Sequence, residues 1–209
     1  MSQNKKTDLC VILKKFVILY RKTRILKMKD IDQKIAAFEY AMYQLINWYK
    51  ESVSTELRNI ETHFTRLTSL KLLFLLASVK NLARQNQDLL NQFDNFCAMQ
   101  YGPVESDIYT AIVLHKTKVY QFGNRQISIL DSSPQFENLD STLKGEVDGA
   151  ITQLKKINND LISYHASHLV EITHKWDSWR NAMAIANWMG KGSEHMSIES
   201  IRNSTPFYV

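Results

Sequence analysis

The feature that most constrains the fold is a segment, LTSLKLLFLLASVKNLA at residues 67–83, that is apolar on nearly every helical face. A helix that is apolar all round is either buried at the centre of a domain or spans a membrane. This segment is short for a membrane span, and it carries Lys71 and Lys80 within it. It therefore predicts a buried central helix around which the other elements pack.

The remaining sequence favours helices. Apolar residues recur at spacings of three and four, as on one face of a helix, in several further segments. These segments are residues 30–49, 88–101, 147–157, 161–172, 177–189 and 197–202. The six glycines and three prolines are few for a turn-rich β architecture. We therefore predict a mainly α-helical protein, folded as a compact single-domain helical bundle.

One segment has the pattern of strands. The dipeptide Gly123-Asn124 is typical of a two-residue turn in a β-hairpin. β-branched and aromatic residues lie on both sides of this dipeptide. They are Val119, Tyr120, Phe122, Ile127 and Ile129. The sequence therefore predicts one small β-hairpin near residues 118–130.

The dipeptide Gly102-Pro103 predicts a sharp change of chain direction. Proline disfavours the helical conformation in the residue before it, and glycine adopts the unusual backbone angles of helix ends. Pro103 is compatible with the first turn of a following helix, where Glu105 and Asp107 would carry favourable negative charge. We expect a rigid corner between two helices, with Tyr101 at its edge.

Charge is distributed unevenly along the chain. Residues 1–29 hold nine Lys and Arg against one acidic residue, whereas the other 180 residues hold 17 basic and 20 acidic side chains. A nucleic-acid-binding domain normally carries its positive charge on the folded body. The sequence therefore predicts a basic N-terminal extension, residues 1–29, and a helical domain, residues 30–209. Contact with nucleic acid is expected only through the extension.

The cellular location is predicted from the cysteines and from the first apolar stretch. Cys10 and Cys97 have no metal-ligand spacing, and two cysteines form no disulfide framework, so we expect free thiols in the cytoplasm. The stretch LCVILKKFVILY at residues 9–20 is interrupted by two lysines and is too short to cross a membrane. We therefore expect no transmembrane segment.

Candidate chemistry is confined to a group of histidines. His165, His168 and His174 lie within ten residues, and the first two are placed one helical turn apart, as in some zinc sites. A metal-dependent hydrolase is therefore one alternative. The sequence has no HExxH, GxSxG, phosphate-binding GxxxxGK[ST] or GxGxxG motif. We predict that the protein is not an enzyme and that it has no catalytic residue, metal, cofactor or small-molecule substrate.

Four segments together resemble a known family, the Panacea domain of SocA-like antitoxins, whose members occur among phage-associated proteins. The family has a helix rich in Lys and Leu, a Y-G-P-V corner leading into a helix with a Tyr, and a late L-x-x-x-T-H followed by Trp. The corner is matched here by Tyr101, Gly102, Pro103, Val104 and Tyr109, and the late motif by Leu169, Thr173, His174 and Trp179. The segments, in order, are KLLFLLA (71–77), QYGPVESDIY (100–109), SHLVEITHKWDSW (167–179) and MSIESIRN (196–203).

The resemblance implies a bacterial antitoxin that neutralises a cognate protein toxin, typically encoded by the adjacent gene, by direct binding. A few aromatic anchors supply most of the affinity in such interfaces. The expected partner-binding residues are Tyr101, Tyr109, Thr173, His174, Trp176 and Trp179, with the four aromatic residues among them exposed. Gly102, Pro103 and Val104 are expected to be structural. A purely structural role remains open for the others too, with Thr173 and His174 capping a helix and Trp179 packing in the core.

Besides the hydrolase, a second alternative to the antitoxin function is a phage-associated or prophage-associated regulatory protein. A phage or prophage regulator would contact nucleic acid through its basic residues, because phosphate contacts supply most non-specific affinity. In this chain only the extension over residues 1–29 has the charge for that role.

Overall fold

The computed structural model describes residues 30–56, 58–80 and 87–209. Residues 34–209 form one compact unit. The basic extension, residues 1–29, lies outside the described residues. Its contact with nucleic acid therefore stays a prediction.

The structure is mainly α-helical with some short strands, which confirms the mainly α-helical class predicted from the sequence, although the three-stranded sheet described below is not predicted. The helices are α1 over residues 30–52, α2 (Ile60–His63), α3 (Arg66–Ser78), α4 (Ser106–Val113), α5 (Ser141–Ile157), α6 (Ala166–His174), α7 (Asp177–Trp188) and α8 (Ile198–Arg202), with a 3-10 helix at Asn159–Ser163. The single helix predicted over residues 161–172 is divided, because Tyr164 and His165 have extended backbone angles.

The strands form two small antiparallel sheets. They are β1 (Phe96–Met99), β2 (Gly102–Glu105), β3 (Tyr120–Phe122), β4 (Ile127–Ile129) and β5 (Ser193–His195). One sheet has the order β2-β1-β5, and the other is the hairpin β3-β4. The hairpin predicted near residues 118–130 is therefore confirmed, with Tyr120 opposite Ile129.

Helix α3 is the central helix that the sequence predicts. Its residues from Thr68 to Ser78 are all buried, and it packs against β2, α5 and α6. Thr65 caps its N-terminus, since its side chain accepts a hydrogen bond from the Thr68 N–H, as expected for an N-cap threonine. None of the helices in the described part of the chain, α3 included, has both the length and the hydropathy to cross a membrane.

The helix predicted over residues 88–101 is not formed. A single turn, closed by a 2.9 Å hydrogen bond from the Phe93 N–H to the Leu89 carbonyl, is followed by strand β1 from Phe96. The apolar side chains that have the helical spacing, Leu89, Phe93 and Phe96, are all buried. Spacings of four and three fit one helical face, but they also fit a turn followed by a strand with one buried face. The spacing alone could not separate these two structures.

The predicted corner between two helices is a corner between two strands. A two-residue turn, Gln100-Tyr101, joins β1 to β2, and Met99 lies opposite Gly102. Gly102 has a positive φ of 91°, which glycine adopts without strain. Pro103 lies in β2, an edge strand of the sheet, where a missing N–H is tolerated.

Helix α4 begins directly after the hairpin. Glu105 is its N-cap, because its carboxylate accepts a 2.7 Å hydrogen bond from the Ile108 N–H. Asp107 lies in the first turn, so the predicted acidic helix start is confirmed, although it begins after Glu105 and not at Pro103.

A buried carboxylate fixes the second hairpin to α1. Glu39 is 4% exposed and accepts hydrogen bonds from the N–H groups of Lys118 and Val119, at 2.7 and 2.6 Å. Burial raises the pKa of Glu39 above its ordinary value, although these hydrogen bonds oppose the effect. These hydrogen bonds therefore hold residues 118 and 119, which directly precede β3, against α1.

Candidate functional site

Lys71, on α3, is a buried amine beneath the β1–β2 hairpin. Its side chain is inaccessible to solvent, and its Nζ donates a hydrogen bond to the Pro103 carbonyl. Burial lowers the pKa of Lys71 to about 7, because the charged form loses its hydration. No carboxylate of the described residues forms an ion pair with it. The amine is thus poised between its neutral and charged forms near neutral pH.

Gly102 allows this close approach of hairpin and helices. A Cβ at this position would lie 2.5 Å from Thr173 Oγ1 and 3.2 Å from Cδ and Nζ of Lys71. Thr173, on α6, is buried and donates a 2.9 Å hydrogen bond to the Val170 carbonyl. Only glycine therefore fits between α3 and α6, and the Y-G-P-V motif has a packing reason for its glycine.

His174 and Trp179 hold the hairpin turn from the side of α6 and α7. Their rings stack with centroids 3.7 Å apart, and His174 hydrogen-bonds to the backbone of Gln100. Trp179 Nε1 donates a 3.0 Å hydrogen bond to the Met99 carbonyl. Burial and the nearby Lys71 charge lower the pKa of His174, whose Nε2 is buried without a hydrogen-bond partner in the described chain.

Two tyrosines and one arginine lie at the outer side of the hairpin. Tyr101 is 62% exposed at the tip of the turn, and Tyr109 on α4 is half-buried. The Arg66 guanidinium lies 5.3 Å from the centroid of the Tyr109 ring and donates a hydrogen bond to Asn124 Oδ1. The contact between Arg66 and the Tyr109 ring is a cation–π interaction, which orders both side chains.

These residues surround one pocket, which we call the hairpin pocket. Its volume is 540 Å³, within the usual range for ligand pockets. It is lined by Arg66, Leu67, Leu70, Lys71, Met99, Gln100, Tyr101, Gly102, Val104, Tyr109, Asn124 and Gly192. The structure thus brings together Tyr101, Tyr109 and the Y-G-P-V residues, with Thr173, His174 and Trp179 directly behind them.

A second polar centre lies around Lys34 on α1. Its Nζ is 2.5 Å from Asp94, 3.1 Å from Glu105 and 2.8 Å from Asp107. Burial lowers the pKa of Lys34, but the hydrogen bonds to the three carboxylates outweigh it and raise that pKa above the ordinary value. In the described chain, these carboxylates are the group whose spacing fits a metal ion, and the lysine ammonium already lies among them.

The three histidines of the candidate zinc site do not form a group with metal-ligand spacing in the described part of the chain. His165 precedes α6 without a capping hydrogen bond, and the ring of His168 stacks on Tyr164 at 4.2 Å. His174 stacks on Trp179. The acidic group around Lys34 contains none of these histidines.

Trp176 is buried, so the expectation that it is exposed is wrong. Its side chain is 1% exposed and packs edge-on against Phe74 and Tyr208, with ring centroids 5.0 and 5.7 Å away. Its Nε1 donates a 3.1 Å hydrogen bond to the Phe207 carbonyl. The reason is its position at the junction of α6 and α7, where the chain turns its side chain onto the central helix.

Sequence reasoning missed two parts of this region. In the sequence, Lys71 argues against a membrane span and begins the family segment KLLFLLA, but a lysine on a helix apolar all round is also a signal for a buried amine. Arg66 belongs to no motif and gave no signal. The exposed apolar face of α7 was also missed, although its three residues have helical spacing: Ile185 (49% exposed), Trp188 (87%) and Met189 (48%).

Comparison with known proteins identifies one family. The sequence model of the family described as "Antitoxin SocA-like, Panacea domain" matches residues 70–180, which is more than half of the 209-residue chain. No curated protein and no solved structure matches the chain. The matched range contains Lys71, the β1–β2 hairpin, Tyr109 and the late motif that ends at Trp179, so the predicted resemblance is confirmed.

Proposed function

The chain belongs to the SocA-like antitoxin family with a Panacea domain, and from this premise we propose that it is the antitoxin of a toxin–antitoxin pair. It neutralises its cognate toxin by direct protein–protein binding, and the toxin is the product of the adjacent gene. It acts by binding, without a cofactor or a small-molecule substrate, and it acts in the cytoplasm. The free thiol of Cys97 is consistent with that compartment.

The observation that supports this proposal best is the convergence of the family residues on a surface pocket with an exposed aromatic rim. Tyr101 projects from a turn held by His174, Trp179 and the close packing at Gly102. A rigidly presented aromatic side chain loses little conformational entropy on binding, which is the property of interface hot spots.

The predicted partner-binding residues then have distinct roles. Tyr101 and Tyr109 contact the toxin directly, since both line the open pocket. Thr173, His174 and Trp179 act as positioning residues that keep the hairpin against α3 and α6. Trp176 acts in the core and not at the interface, because it is buried.

Growth rescue tests this function. The adjacent gene is expressed from an inducible promoter with and without this chain, and we expect growth only when the chain is co-expressed. Tyr101→Ala should abolish rescue and weaken the purified complex by about thirtyfold or more, as for truncation of a hot-spot aromatic residue. Urea denaturation of the variant should match that of the wild type, because the side chain is exposed.

Trp188→Ala is the matched control. Trp188 is a more exposed aromatic residue on α7, and we expect its removal to leave rescue intact. Absence of toxicity from the adjacent gene product, or toxicity that the chain does not relieve, would contradict the antitoxin function. Loss of rescue in Trp188→Ala with retention in Tyr101→Ala would keep the function but move the interface to α7.

A further inference from the structure

The hairpin pocket carries positive charge without an internal counterion. Its lining includes two basic residues, Arg66 and Lys71, and no Asp or Glu. Neither cation forms an ion pair with a carboxylate in the part of the chain that the structure describes. The partners they have are neutral: Asn124 and the Tyr109 ring for Arg66, and the Pro103 carbonyl for Lys71.

A larger pocket of the protein provides the contrast. It has a volume of 670 Å³ and includes Arg202, but Asp88 and Glu146 also line it. Arg202 is bound there by both oxygens of Asp88, each at 2.8 Å. That arginine is satisfied within the chain, whereas the two cations of the hairpin pocket are not. A buried cation without a counterion is costly, and an anion from outside can remove that cost.

The rest of the hairpin pocket is apolar and aromatic. Leu67, Leu70, Met99 and Val104 supply its aliphatic surface, and Tyr101 and Tyr109 supply two rings. An occupant that matches the lining therefore has an apolar or aromatic body next to one negatively charged group. A carboxylate fits this charge, because the guanidinium of an arginine can donate hydrogen bonds to both its oxygens.

We propose that the hairpin pocket binds a carboxylate carried on an apolar or aromatic body, presented by an acidic or C-terminal residue of the protein partner. The source of the carboxylate rests on the proposed function, since it requires a protein partner. The exposed Tyr101 at the rim contacts the surface around that residue, and Arg66 binds the carboxylate inside the pocket. The buried Lys71 amine, behind Gly102, stabilises the negative charge without contacting it.

The test uses the full chain and N-acetylphenylalanine as the probe, with N-acetylphenylalaninamide as an uncharged analogue of the same shape. Isothermal titration calorimetry should show binding of the acid and at least tenfold weaker binding of the amide. Arg66→Gln should weaken binding of the acid at least tenfold, because it removes the guanidinium that contacts the carboxylate. Lys71→Met should also weaken binding of the acid, because it removes a basic group buried next to the carboxylate.

Lys155→Met is the matched control for the two substitutions. It removes a lysine that pairs with Glu51 at 2.7 Å outside the pocket, and it should leave binding of the acid unchanged. Having two pocket variants keeps the test decisive if one of them fails to fold. Equal binding of acid and amide, binding of neither, or tighter binding of phenyl phosphate than of the acid would overturn the proposal.

A competition experiment tests the source of the carboxylate. Saturating N-acetylphenylalanine should displace the adjacent gene product from its complex with the chain. Probe binding without displacement would contradict the partner as the source. Growth rescue without probe binding would overturn this inference and leave the antitoxin function standing. Probe binding without growth rescue would contradict the antitoxin function and leave carboxylate binding by the pocket standing.

Discussion

Two buried lysines contact the same strand, β2, and their surroundings are opposite. Lys34 has three carboxylates within 3.1 Å, one of them from Glu105 at the end of β2. Lys71 has one neutral acceptor, the carbonyl of Pro103 in the middle of β2. The pKa of Lys34 is raised above its ordinary value, and that of Lys71 is lowered to about 7.

The difference separates a structural site from the proposed binding site. A buried charge whose counterions lie in the same chain stabilises the arrangement of the elements that supply them. A buried amine without such counterions lowers stability, and strongly perturbed groups next to a pocket are candidates for function. We therefore assign Lys34 to the joining of α1, β2 and α4, and Lys71 to the hairpin pocket.

The largest expected effect is that of Lys34→Met. This substitution leaves Glu105, which is buried, without its cation, although the Ile108 N–H still binds it. Breaking a buried ion pair by removal of one partner typically costs about 3–5 kcal/mol, so we expect the free energy of unfolding to fall by that amount. Urea denaturation measures it. A loss below about 1 kcal/mol would show that the carboxylates around Lys34 do not stabilise the fold, and it would contradict the difference between Lys34 and Lys71.

The next effect is that of Gly102→Ala, which tests the packing of the hairpin over Lys71. The added Cβ meets Thr173 Oγ1 and also requires a positive φ, so we expect a loss of about 2–4 kcal/mol of unfolding free energy. Gly190→Ala is the control. Gly190 has a φ of 65° but no atom within 4 Å of its Cβ position, so its loss should be about 1 kcal/mol. Equal losses would mean that backbone angle alone explains Gly102.

The third effect is a pH dependence that Lys71→Met removes. Since the pKa of Lys71 is about 7 in the folded state and an ordinary lysine has a pKa of 10.5, the unfolded chain binds more protons between these limits. The wild type should therefore gain about 1.4 kcal/mol of unfolding free energy per pH unit above pH 7, relative to the variant. Urea denaturation of both proteins from pH 7 to 8.5 measures this difference.

The imidazole near Lys71 leaves this window clear. The pKa of His174 lies below its ordinary 6.5, so its ring is mostly neutral between pH 7 and 8.5. Parallel stability curves for the wild type and Lys71→Met would show that the Lys71 amine is charged and solvated as in water.

The smallest effect is that of Trp179→Phe. The substitution keeps an aromatic ring against His174 but removes the 3.0 Å hydrogen bond to the Met99 carbonyl. We expect a loss of about 1 kcal/mol in stability, as for one ordinary hydrogen bond, measured by urea denaturation. Trp179→Ala should cost more, since it also removes the stacking. If both cost the same, the stacking does not hold the turn.

The sequence was sufficient where the pattern of residues has one structural solution. A helix apolar on every face has to be buried, and α3 is buried from Thr68 to Ser78. A Gly-Asn turn between apolar strands has to form a hairpin, and β3 and β4 do so. Local pattern and fold agree at these positions, as they usually do in natural proteins.

The site depends on contacts that a pattern does not contain. The hairpin β1–β2 lies where the sequence predicts the end of a helix, and its Gly102 packs against Thr173, which is 71 positions further along the chain. The burial of Trp176 depends on Phe74 and Tyr208, which are also distant in sequence. Likewise, nothing near Lys71 in the sequence indicates that its partner is a carbonyl and not a carboxylate. Such tertiary contacts override local preference.

The most direct test of the central claim is an NMR titration of the Lys71 side chain, assigned by the loss of its signal in Lys71→Met. We expect the amine to titrate near pH 7 in the free protein. Saturation with N-acetylphenylalanine should raise that pKa by at least about one unit, because a carboxylate stabilises the charged amine. An ordinary lysine pKa in the free protein, or a low pKa that the acid does not change, would contradict the assignment of Lys71 to the binding site.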